Sequence, residues 1–253
     1  MSARTTLRDV VVVIPCYNEA RRLDAAEVGA ITAAGPRVLL VNDGSTDATL
    51  AVLEQIAATH DGVDVLDLGV NGGKGEAVRR GLAAALESGG AIVGFADADM
   101  STPPHELVRL ASVLCDDPSM DVVLGSRVSL LGRSVDRSVI RHYSGRVFAT
   151  AAGAVLGLRV YDTQCGAKFF RSVPGVRVAL SEPFHSRWSF DVELIGRLVS
   201  GRSALETTRF VEVPLQEWHD VAGSKLTLGG SLRSGLELVS IARALRRWRA
   251  QVA

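Results

Sequence analysis

Five short apolar runs, separated by stretches with helical periodicity, occupy the first half of this 253-residue chain. The first run, residues 10–14, has no polar residue on either face, which is typical of a strand buried on both sides of a sheet. The other predicted strands cover residues 37–41, 63–66, 91–95 and 121–124. Helices are predicted over residues 20–34, 48–59 and 76–88, and another begins at Pro103 and Pro104. This alternation predicts an α/β fold with a mostly parallel sheet flanked by helices.

The second half of the chain has a less regular pattern. Its predicted elements are a helix at 138–156, a short strand at 169–170, a helix at 189–199, a strand at 209–213 and a helix at 234–253. Neither an internal repeat nor a long linker divides the two halves. The sequence therefore predicts one integrated domain over residues 1–253.

Composition excludes several classes of protein. Because 28 basic residues balance 28 acidic ones, no nucleic-acid partner is expected. The three cysteines include no C-x-x-C pair, which favours neither a disulfide framework nor a zinc site and fits the reducing cytoplasm. Residues 1–9 are polar and too few for a signal peptide, and no apolar run is long enough to cross a bilayer. A cytoplasmic protein is expected, and any membrane contact is expected to be peripheral.

Two carboxylates follow the fourth predicted strand, in the segment Phe95-Ala96-Asp97-Ala98-Asp99. Side chains at positions i and i+2 of an extended segment project to the same side, so Asp97 and Asp99 are expected to face one ligand. Open α/β sheets bind their ligands at the carboxyl ends of the strands. Carboxylate oxygens suit a Mg²⁺ or Mn²⁺ ion that carries a diphosphate, which indicates an enzyme of nucleoside-diphosphate compounds.

Two common nucleotide-binding motifs do not match this chain. A dinucleotide-binding fold has G-x-G-x-x-G after its first strand, whereas residues 15–19 read P-C-Y-N-E, which disfavours a dehydrogenase. The glycine-rich segment 69–75 differs in spacing from a Walker phosphate-binding loop, and neither serine nor threonine follows Lys74. Kinase and NTPase chemistry are therefore disfavoured. A nucleotidyltransferase is disfavoured as well, because it would need a glycine-rich basic loop after the first strand.

Eight motifs in a fixed order resemble those of family 2 glycosyltransferases. Four lie in the first half: P-C-Y-N-E at 15–19, V-N-D-G-S-T-D at 41–47, G-G-K-G at 72–75 and D-A-D at 97–99. Four lie in the second half: G-S-R at 125–127, D-T-Q-C-G-A-K-F-F at 162–170, R-W-S-F-D-V-E-L at 187–194 and G-S-K at 223–225. The second set resembles the dolichyl-phosphate (polyprenyl-phosphate) β-glucosyltransferases and, more distantly, the dolichyl-phosphate mannose synthases.

The resemblance covers residues 10–245 and implies a single nucleotide-sugar-binding, Rossmann-like domain of the glycosyltransferase A type. Within it, residues 9–125 are expected to form the nucleotide-sugar-binding half. Residues 126–230 are expected to form the acceptor-binding half, and residues 231–253 a C-terminal basic amphipathic helix.

For the donor, the resemblance implies that Asp99 binds the Mg²⁺ or Mn²⁺ ion bridging the diphosphate. In the related mannose synthases a glutamine two residues later helps to hold the metal, but here that position is Ser101, and His219 is the candidate in its place. The residues assigned to the nucleotide sugar are Pro15, Tyr17, Glu19, Asp43, Lys74, Asp97 and Ala98. Asp43 either accepts from a base N–H or caps a turn with Gly44, and Lys74 either contacts the nucleotide or is a solvated loop lysine.

For the acceptor, the resemblance places Arg127 and Arg141 on a phosphate, whose oxygens match the guanidinium fork. Ser144 would add a hydroxyl, and Arg146 is a competing candidate for that place. The residues assigned to acceptor or sugar binding are Gln164, Lys168, Trp188 and Asp191. Asp191 and Glu193 are two positions apart on a predicted helix, so at most one is expected to face the site.

The resemblance implies an inverting, metal-dependent transfer of a hexose from a UDP-sugar, with UDP-glucose as the expected donor, to a polyprenyl or dolichyl phosphate. The alternative is a soluble glycosyltransferase with a small hydroxylic acceptor in natural-product or cell-wall biosynthesis, in which Asp191 would be the catalytic base. A second alternative is a protein that binds a sugar nucleotide without catalysing a reaction.

The predicted C-terminal helix has an apolar stripe of Leu236, Val239, Ala242 and Leu245, which Trp248 continues, and four arginines, Arg243, Arg246, Arg247 and Arg249. A basic amphipathic helix of this kind lies on an anionic membrane surface, here the inner face of the membrane, and would suit a lipid acceptor. The alternative is a helix packed on the domain with solvated arginines.

Overall fold

A computed structural model describes residues 4–128, 130–132, 134–135, 139–186, 189–201, 203–219 and 228–250, the side chains at 135, 139–144 and 228–236 excepted. The strands are β1 (Val10–Cys16), β2 (Arg37–Asn42), β3 (Val63–Asp67), β4 (Ile92–Phe95), β5 (Val122–Ser126), β6 (Ser134–Val135), β7 (Lys168–Arg171), β8 (Phe210–Pro214) and β9 (Glu217–Trp218). The helices are α1 (Ala25–Ala33), α2 (Thr49–Thr59), α3 (Lys74–Glu87), α4 (Pro104–Asp116), α5 (Val139–Leu156), α6 (Pro174–Ala179), α7 (Phe190–Ser200) and α8 (Leu228–Ala250).

Seven of the described strands form one sheet in the order β3–β2–β1–β4–β7–β5–β8, while β6 and β9 pair separately. Neighbouring strands of the large sheet are parallel, except that β7 runs antiparallel to both β4 and β5. The predicted α/β fold with a mostly parallel sheet and flanking helices is therefore confirmed.

Helices cover both faces of the sheet. In β1, Val11 and Val13 point into a core shared with α3, α6, α7 and α8, whereas Val10, Val12 and Ile14 point into a core shared with α1, α2 and α4. Successive residues of a strand face opposite sides of a sheet. Because both sides are buried here, every position of residues 10–14 is apolar.

Three helices begin two or more residues away from their predicted starts. The prediction of a helix from residue 20 was wrong, since residues 20–22 form a turn and α1 begins at Ala25 after Asp24, whose carboxylate accepts from the Ala26 N–H (2.8 Å). Helix α3 begins at Lys74 rather than 76, and α8 begins at Leu228 rather than 234. Caps and turns, which hydrophobic periodicity does not report, decide where a helix begins.

The short strand predicted at 169–170 is β7, and it lies inside the sheet between β4 and β5. Its first residue, Lys168, stands opposite Phe95 at the carboxyl end of β4 and opposite Leu124 of β5. The segment that leads into β7, residues 162–167, therefore lies beside the chain that leaves β4. This placement brings a second-half motif to the edge that carries Asp97 and Asp99.

Helix α8 packs on the domain through three apolar side chains. Leu238, Ile241 and Leu245 are buried in the core shared with α7, and a Cβ at Gly196 of α7 would lie 2.5 Å from Leu245 Cδ1. Of the predicted stripe, Leu245 is buried in this contact, whereas Val239 is half-exposed. The packed helix is therefore supported, and contact with a membrane stays a prediction. Among the helices that the structure describes, none has both the length and the hydropathy to cross a bilayer.

Candidate active site

The loops that follow β1 and β2 are tied together at the carboxyl edge of the sheet. The Asn18 N–H donates to Ser45 Oγ (3.1 Å), and Asn18 Oδ1 accepts from the Thr46 N–H (2.9 Å). Asn18 and, after β4, Met100 have positive φ angles of 55° and 48°, which are uncommon for residues other than glycine. Such conformations persist where the surrounding structure holds a loop in a defined shape, often at a functional site.

Asp43 follows β2 and holds the glycine-rich loop in front of α3. Its buried carboxylate accepts from the Gly72 N–H (2.8 Å), the Gly73 N–H (2.9 Å) and Asn71 Nδ2 (3.1 Å). Gly44 permits this approach, since a Cβ there would lie 2.5 Å from the Asn71 nitrogen. Sequence reasoning offered a base contact or a local turn for Asp43 and missed this contact with residues 71–73, which are distant in sequence.

Lys74 and Asp97 form an ion pair between the glycine-rich loop and the exit of β4. Lys74 is the first residue of α3, and its Nζ lies 2.5 Å from Asp97 Oδ1. Burial lowers the pKa of Lys74, but the nearby carboxylates, Asp97 first among them, outweigh burial and raise the pKa above its ordinary value. Gly166 adjoins the same carboxylate, because a Cβ at that position would clash with Asp97. The motif at 162–170 therefore contacts the D-A-D motif directly.

Asp99 is held by two neighbours that leave it partly accessible. Its Oδ1 accepts from the Ser101 N–H (3.1 Å) and from Ser101 Oγ (2.8 Å), and its Oδ2 lies 3.6 Å from Arg22 Nη2. The Asp99 side chain is 21% exposed and that of Asp97 is 32% exposed. Ser101 thus orients Asp99. Arg22 was missed because it lies in a turn that was predicted to be helix.

These two carboxylates fit a divalent cation that keeps substrate oxygens among its ligands. Within the described part of the chain, no three His, Cys, Asp or Glu side chains converge on a metal-binding geometry. Magnesium is commonly bound by only one or two carboxylates together with substrate phosphates and water. His219 approaches this region by its backbone, whose N–H donates to the Ser101 carbonyl (3.0 Å), while its Nε2 lies 2.6 Å from Glu217 Oε1. A metal role for His219 stays a prediction.

Lys168 and Asp191 form a second, deeply buried ion pair. Lys168 Nζ lies 2.6 Å from Asp191 Oδ1 and 2.5 Å from the Cys165 carbonyl, and it stands 5.2 Å from the centre of the Phe95 ring. Burial raises the pKa of Asp191, and the positive charges of Lys168 and Lys74 oppose that rise without cancelling it. Glu193 faces elsewhere, toward Arg197 at 2.7 Å. The first turn of α7 therefore brings Asp191, rather than Glu193, toward Lys74.

Arg127, at the end of the G-S-R motif, forms a bidentate ion pair with Asp162. Its Nε lies 2.7 Å from Asp162 Oδ2 and its Nη2 lies 2.9 Å from Oδ1. Burial lowers the pKa of Arg127, but the Asp162 carboxylate outweighs it and raises the pKa further above its ordinary value. Glu212 in turn accepts from the Asp162 N–H (2.7 Å). Sequence reasoning missed Asp162 and Glu212 as partners, although Asp162 opens the motif at 162–170.

The structure places the remaining predicted residues as follows. Pro15 lies at the end of β1, Tyr17 is 37% exposed and Ala98 is buried. The Glu19 N–H donates to Thr49 Oγ1 (2.9 Å), and the Gln164 N–H donates to Asp162 Oδ1 (3.1 Å). The side chains of Arg141 and Ser144 and the whole of Trp188 lie outside the described residues. The competing candidate Arg146 stacks on Tyr161, with its guanidinium carbon 3.8 Å from the ring centre. The roles assigned to these residues stay predictions.

The chain is similar in sequence and in fold to several known proteins. The model of glycosyl transferase family 2 matches residues 11–173 of the chain. The chain is 34% identical to the dolichyl-phosphate beta-glucosyltransferase of Drosophila melanogaster over 248 residues, which cover 87% of this chain and 69% of that protein. It is 29% identical to the polyprenol monophosphomannose synthase of Mycolicibacterium smegmatis over 238 residues, which cover 93% of this chain and 86% of that protein.

A solved structure of the same fold comes from Mycobacterium tuberculosis. It is the crystal structure of glucosyl-3-phosphoglycerate synthase in complex with Mn²⁺, UDP and glucosyl-3-phosphoglycerate. The superposition has a TM-score of 0.67 and covers 93% of this chain and 79% of that chain, at 20% sequence identity. At this identity the likeness concerns the fold.

Proposed function

This chain belongs to glycosyltransferase family 2 and is a glycosyltransferase, and we propose that it transfers a hexosyl group from a UDP-sugar to a polyprenyl phosphate. The family and the relatives predicted from the ordered motifs are confirmed. The observation that carries the proposal is the contact between the two halves, in which Asp97 lies against Gly166 of the motif at 162–170. This contact supports a single site for donor and acceptor. The curated relative that is named for dolichyl phosphate supports the choice of acceptor and, through its name, glucose as the sugar.

The donor diphosphate is assigned to Lys74 and to a divalent cation at Asp99, and Asp97 to the nucleoside. A Mg²⁺ or Mn²⁺ ion at Asp99 would act as a Lewis acid toward the departing UDP. Ser101 and Arg22 keep the Asp99 oxygens oriented for that purpose. Lys74 reaches the phosphates by exchanging Asp97 for a phosphate oxygen, which is also a charged acceptor.

The acceptor phosphate is assigned to Arg127, with Arg141 as its second partner. A phosphate is already ionised at neutral pH, so it needs positioning and charge balance more than a general base. Its oxygen attacks the anomeric carbon opposite the leaving group. A bond forms from that carbon to the phosphate oxygen, and the bond to UDP breaks with its electron pair on UDP, so the configuration inverts. Asp162 holds the guanidinium plane of Arg127 through Nε and Nη2, and we assign the phosphate to Nη1.

A small hydroxylic acceptor would instead need a carboxylate to take its proton. Asp191 is the candidate, and burial raises its pKa. However, its Oδ1 already accepts from the Lys168 ammonium at 2.6 Å. We therefore propose Asp191 as a structural counter-ion of the site and keep the hydroxylic acceptor as the alternative that the assay below distinguishes.

The assay presents UDP- and GDP-sugars with Mn²⁺ to a short polyprenyl phosphate, to the matching polyprenol and to a small alcohol, with detection of products by mass. We expect a hexosyl phosphate lipid from UDP-glucose and none from the polyprenol. Arg127→Lys should lower transfer roughly ten- to a hundredfold and leave UDP affinity unchanged, because a hydrogen bond to a charged group contributes about 1.5–3 kcal/mol. The matched control is Arg80→Lys on the exposed side of α3. Product from the polyprenol but not from the phosphate would establish the alternative.

We also propose that the outer face of α8 contacts an anionic membrane surface through charge alone. Arg243, Arg246 and Arg247 are spaced i, i+3, i+4, so they share one face, and all three are exposed. Half-exposed Val239 precedes them on that face, and Leu238, Ile241 and Leu245 are buried on the opposite side. The contact would keep the enzyme near a lipid acceptor.

Changing these three arginines to glutamine should release the enzyme from vesicles that contain anionic lipid. Each arginine near such a surface contributes about 1 kcal/mol, so the partition coefficient should fall roughly a hundredfold. Co-sedimentation with anionic and neutral vesicles measures it, with Arg80→Gln as the matched control. Truncation of the helix would be a poor test, since it would expose the core under Leu238 and Ile241. Equal pelleting of triple variant and wild type would contradict the proposal.

A further inference from the structure

We infer that Glu237 of α8 is a positioning residue for sugar transfer. Its carboxylate binds Ser186 and Ser189, which precede α7. By fixing Ser189, it keeps the first turn of α7, which carries Asp191, in place at the site. This inference rests on the proposed function for the reaction that it serves. The contact itself is a feature of the fold and is measured separately below.

One carboxylate oxygen of Glu237 accepts hydrogen bonds from Ser186 and from Ser189. Its Oε2 accepts from Ser186 Oγ (2.6 Å) and from the Ser189 N–H (2.9 Å). The Ser189 N–H also lies 2.8 Å from Ser186 Oγ, so the two serines and the carboxylate form one cluster. Positions 187 and 188 stand between these two anchors in the sequence.

Glu237 is a negatively charged residue in a helix whose other charged residues are positive. It is the single acidic residue of residues 228–250, which contain five arginines. Its described partners are nevertheless on another element, at the N-terminus of α7, where Ser189 is the N-cap residue and makes no side-chain capping hydrogen bond. The N-terminus of a helix carries unpaired N–H groups and a partial positive charge, both of which a carboxylate satisfies. Helix α8 therefore supplies the cap of α7.

The residues that precede the cluster are fixed from α7 itself. Glu193 Oε2 accepts from the His185 N–H (2.9 Å) and the Ser186 N–H (3.0 Å). Buried Arg197 donates to the carbonyls of Glu182 and Pro183, each at 2.7 Å, and its guanidinium carbon lies 5.0 Å from the centre of the Trp248 ring of α8. Residues 182–186 are therefore held by α7, whereas Ser189, immediately before the helix, contacts Glu237 of α8.

The position of Ser189, the N-cap residue, determines where the first turn of α7 lies. Asp191 is the second residue of α7, and it pairs with Lys168 at 2.6 Å in a buried position. Asp191 also raises the pKa of Lys74, the lysine that pairs with Asp97. A shift of the α7 cap would therefore be passed to the side chains around the donor, while Asp43 and the loops after β1 and β2 would keep their own contacts. Loss of Glu237 should impair turnover more than nucleotide binding.

The test compares Glu237→Ala, Glu237→Gln and the matched control Ser240→Ala, an exposed position of α8. Hydrogen exchange of a peptide spanning residues 184–190 reports the cluster without any need for activity. Transfer from UDP-glucose to a short polyprenyl phosphate gives kcat and KM, and titration with UDP gives the affinity for the nucleotide. Thermal unfolding checks that each variant is folded at the assay temperature.

We expect faster exchange at the Ser189 amide in Glu237→Ala, a kcat lower by about ten- to a hundredfold and a UDP affinity unchanged within about twofold, since small misplacements near a reacting centre are costly. Glu237→Gln should recover most of kcat, because its amide oxygen still accepts from both serines. Unchanged exchange in Glu237→Ala would overturn the contact. Faster exchange with an unchanged kcat in the folded variant would overturn the positioning role. A wild-type enzyme that shows no transfer would count against the proposed function, and the exchange result would stand apart from it.

Discussion

Replacing Asp99 by asparagine is expected to lower sugar transfer by roughly a thousandfold and leave the fold intact. Stabilisation of the departing group by a metal or by preorganised charge contributes several kcal/mol, and each 1.36 kcal/mol is a factor of ten in rate. An asparagine amide oxygen still accepts from the Ser101 N–H and Oγ, so the loop after β4 keeps its shape. The loss would then report the charge of Asp99 and its affinity for the cation.

Two measurements make this result specific. Transfer rates at rising Mn²⁺ concentration separate weakened metal binding from a lost catalytic contribution, and calorimetry of Mn²⁺ with UDP measures the binding itself. Asp64→Asn is the matched control, because Asp64 is an exposed carboxylate of β3 at the far edge of the sheet. Full activity in Asp99→Asn, with unchanged dependence on Mn²⁺, would remove Asp99 from the metal site and with it the mechanism proposed above.

Replacing Lys168 by methionine is expected to cost about 3–5 kcal/mol of the free energy of unfolding. Methionine matches the length of the lysine chain beside Phe95, but it leaves the buried Asp191 carboxylate without the ammonium at 2.6 Å. Removing one partner of a buried ion pair is far more destabilising than removing both. The double variant Lys168→Met/Asp191→Leu should therefore be more stable than Lys168→Met alone. Urea denaturation measures all three proteins.

The deficit of Lys168→Met should grow as the pH rises from 5 to 8. Burial already raises the pKa of Asp191, and loss of Lys168 removes the charge that opposes that rise. The folded variant then binds more protons than its unfolded chain, whose Asp titrates near about 3.9, so its stability falls as pH increases. Arg4→Met is the control, since the exposed Arg4–Asp116 pair should contribute less than about 1 kcal/mol. A pH-independent deficit would show that packing, rather than charge, is responsible.

Residues near one another in the sequence were the ones that sequence reasoning placed well. Asp97 and Asp99 were expected at the exit of the fourth strand, and both are there, beside Lys74 and Ser101 respectively. The strands of the first half were predicted within one or two residues of their observed bounds. The C-terminal helix was also found, but the pattern of its apolar residues serves equally for a membrane surface and for a neighbouring helix. Only the position of α7 shows that Leu238, Ile241 and Leu245 pack against a neighbouring helix.

By itself, the sequence determined the alternation of strands and helices, the edge of the sheet that carries the site and the family. These follow from local regularities, because a strand buried on both faces is apolar at every position and a strand exit presents alternate residues to one side. The tertiary structure alone decided how the charges are paired. Asp191 is 23 residues from Lys168, Arg127 is 35 from Asp162 and Glu237 is 48 from Ser189. A buried charge takes whichever partner the folded chain brings within about 3 Å, and no periodicity along the sequence records that choice.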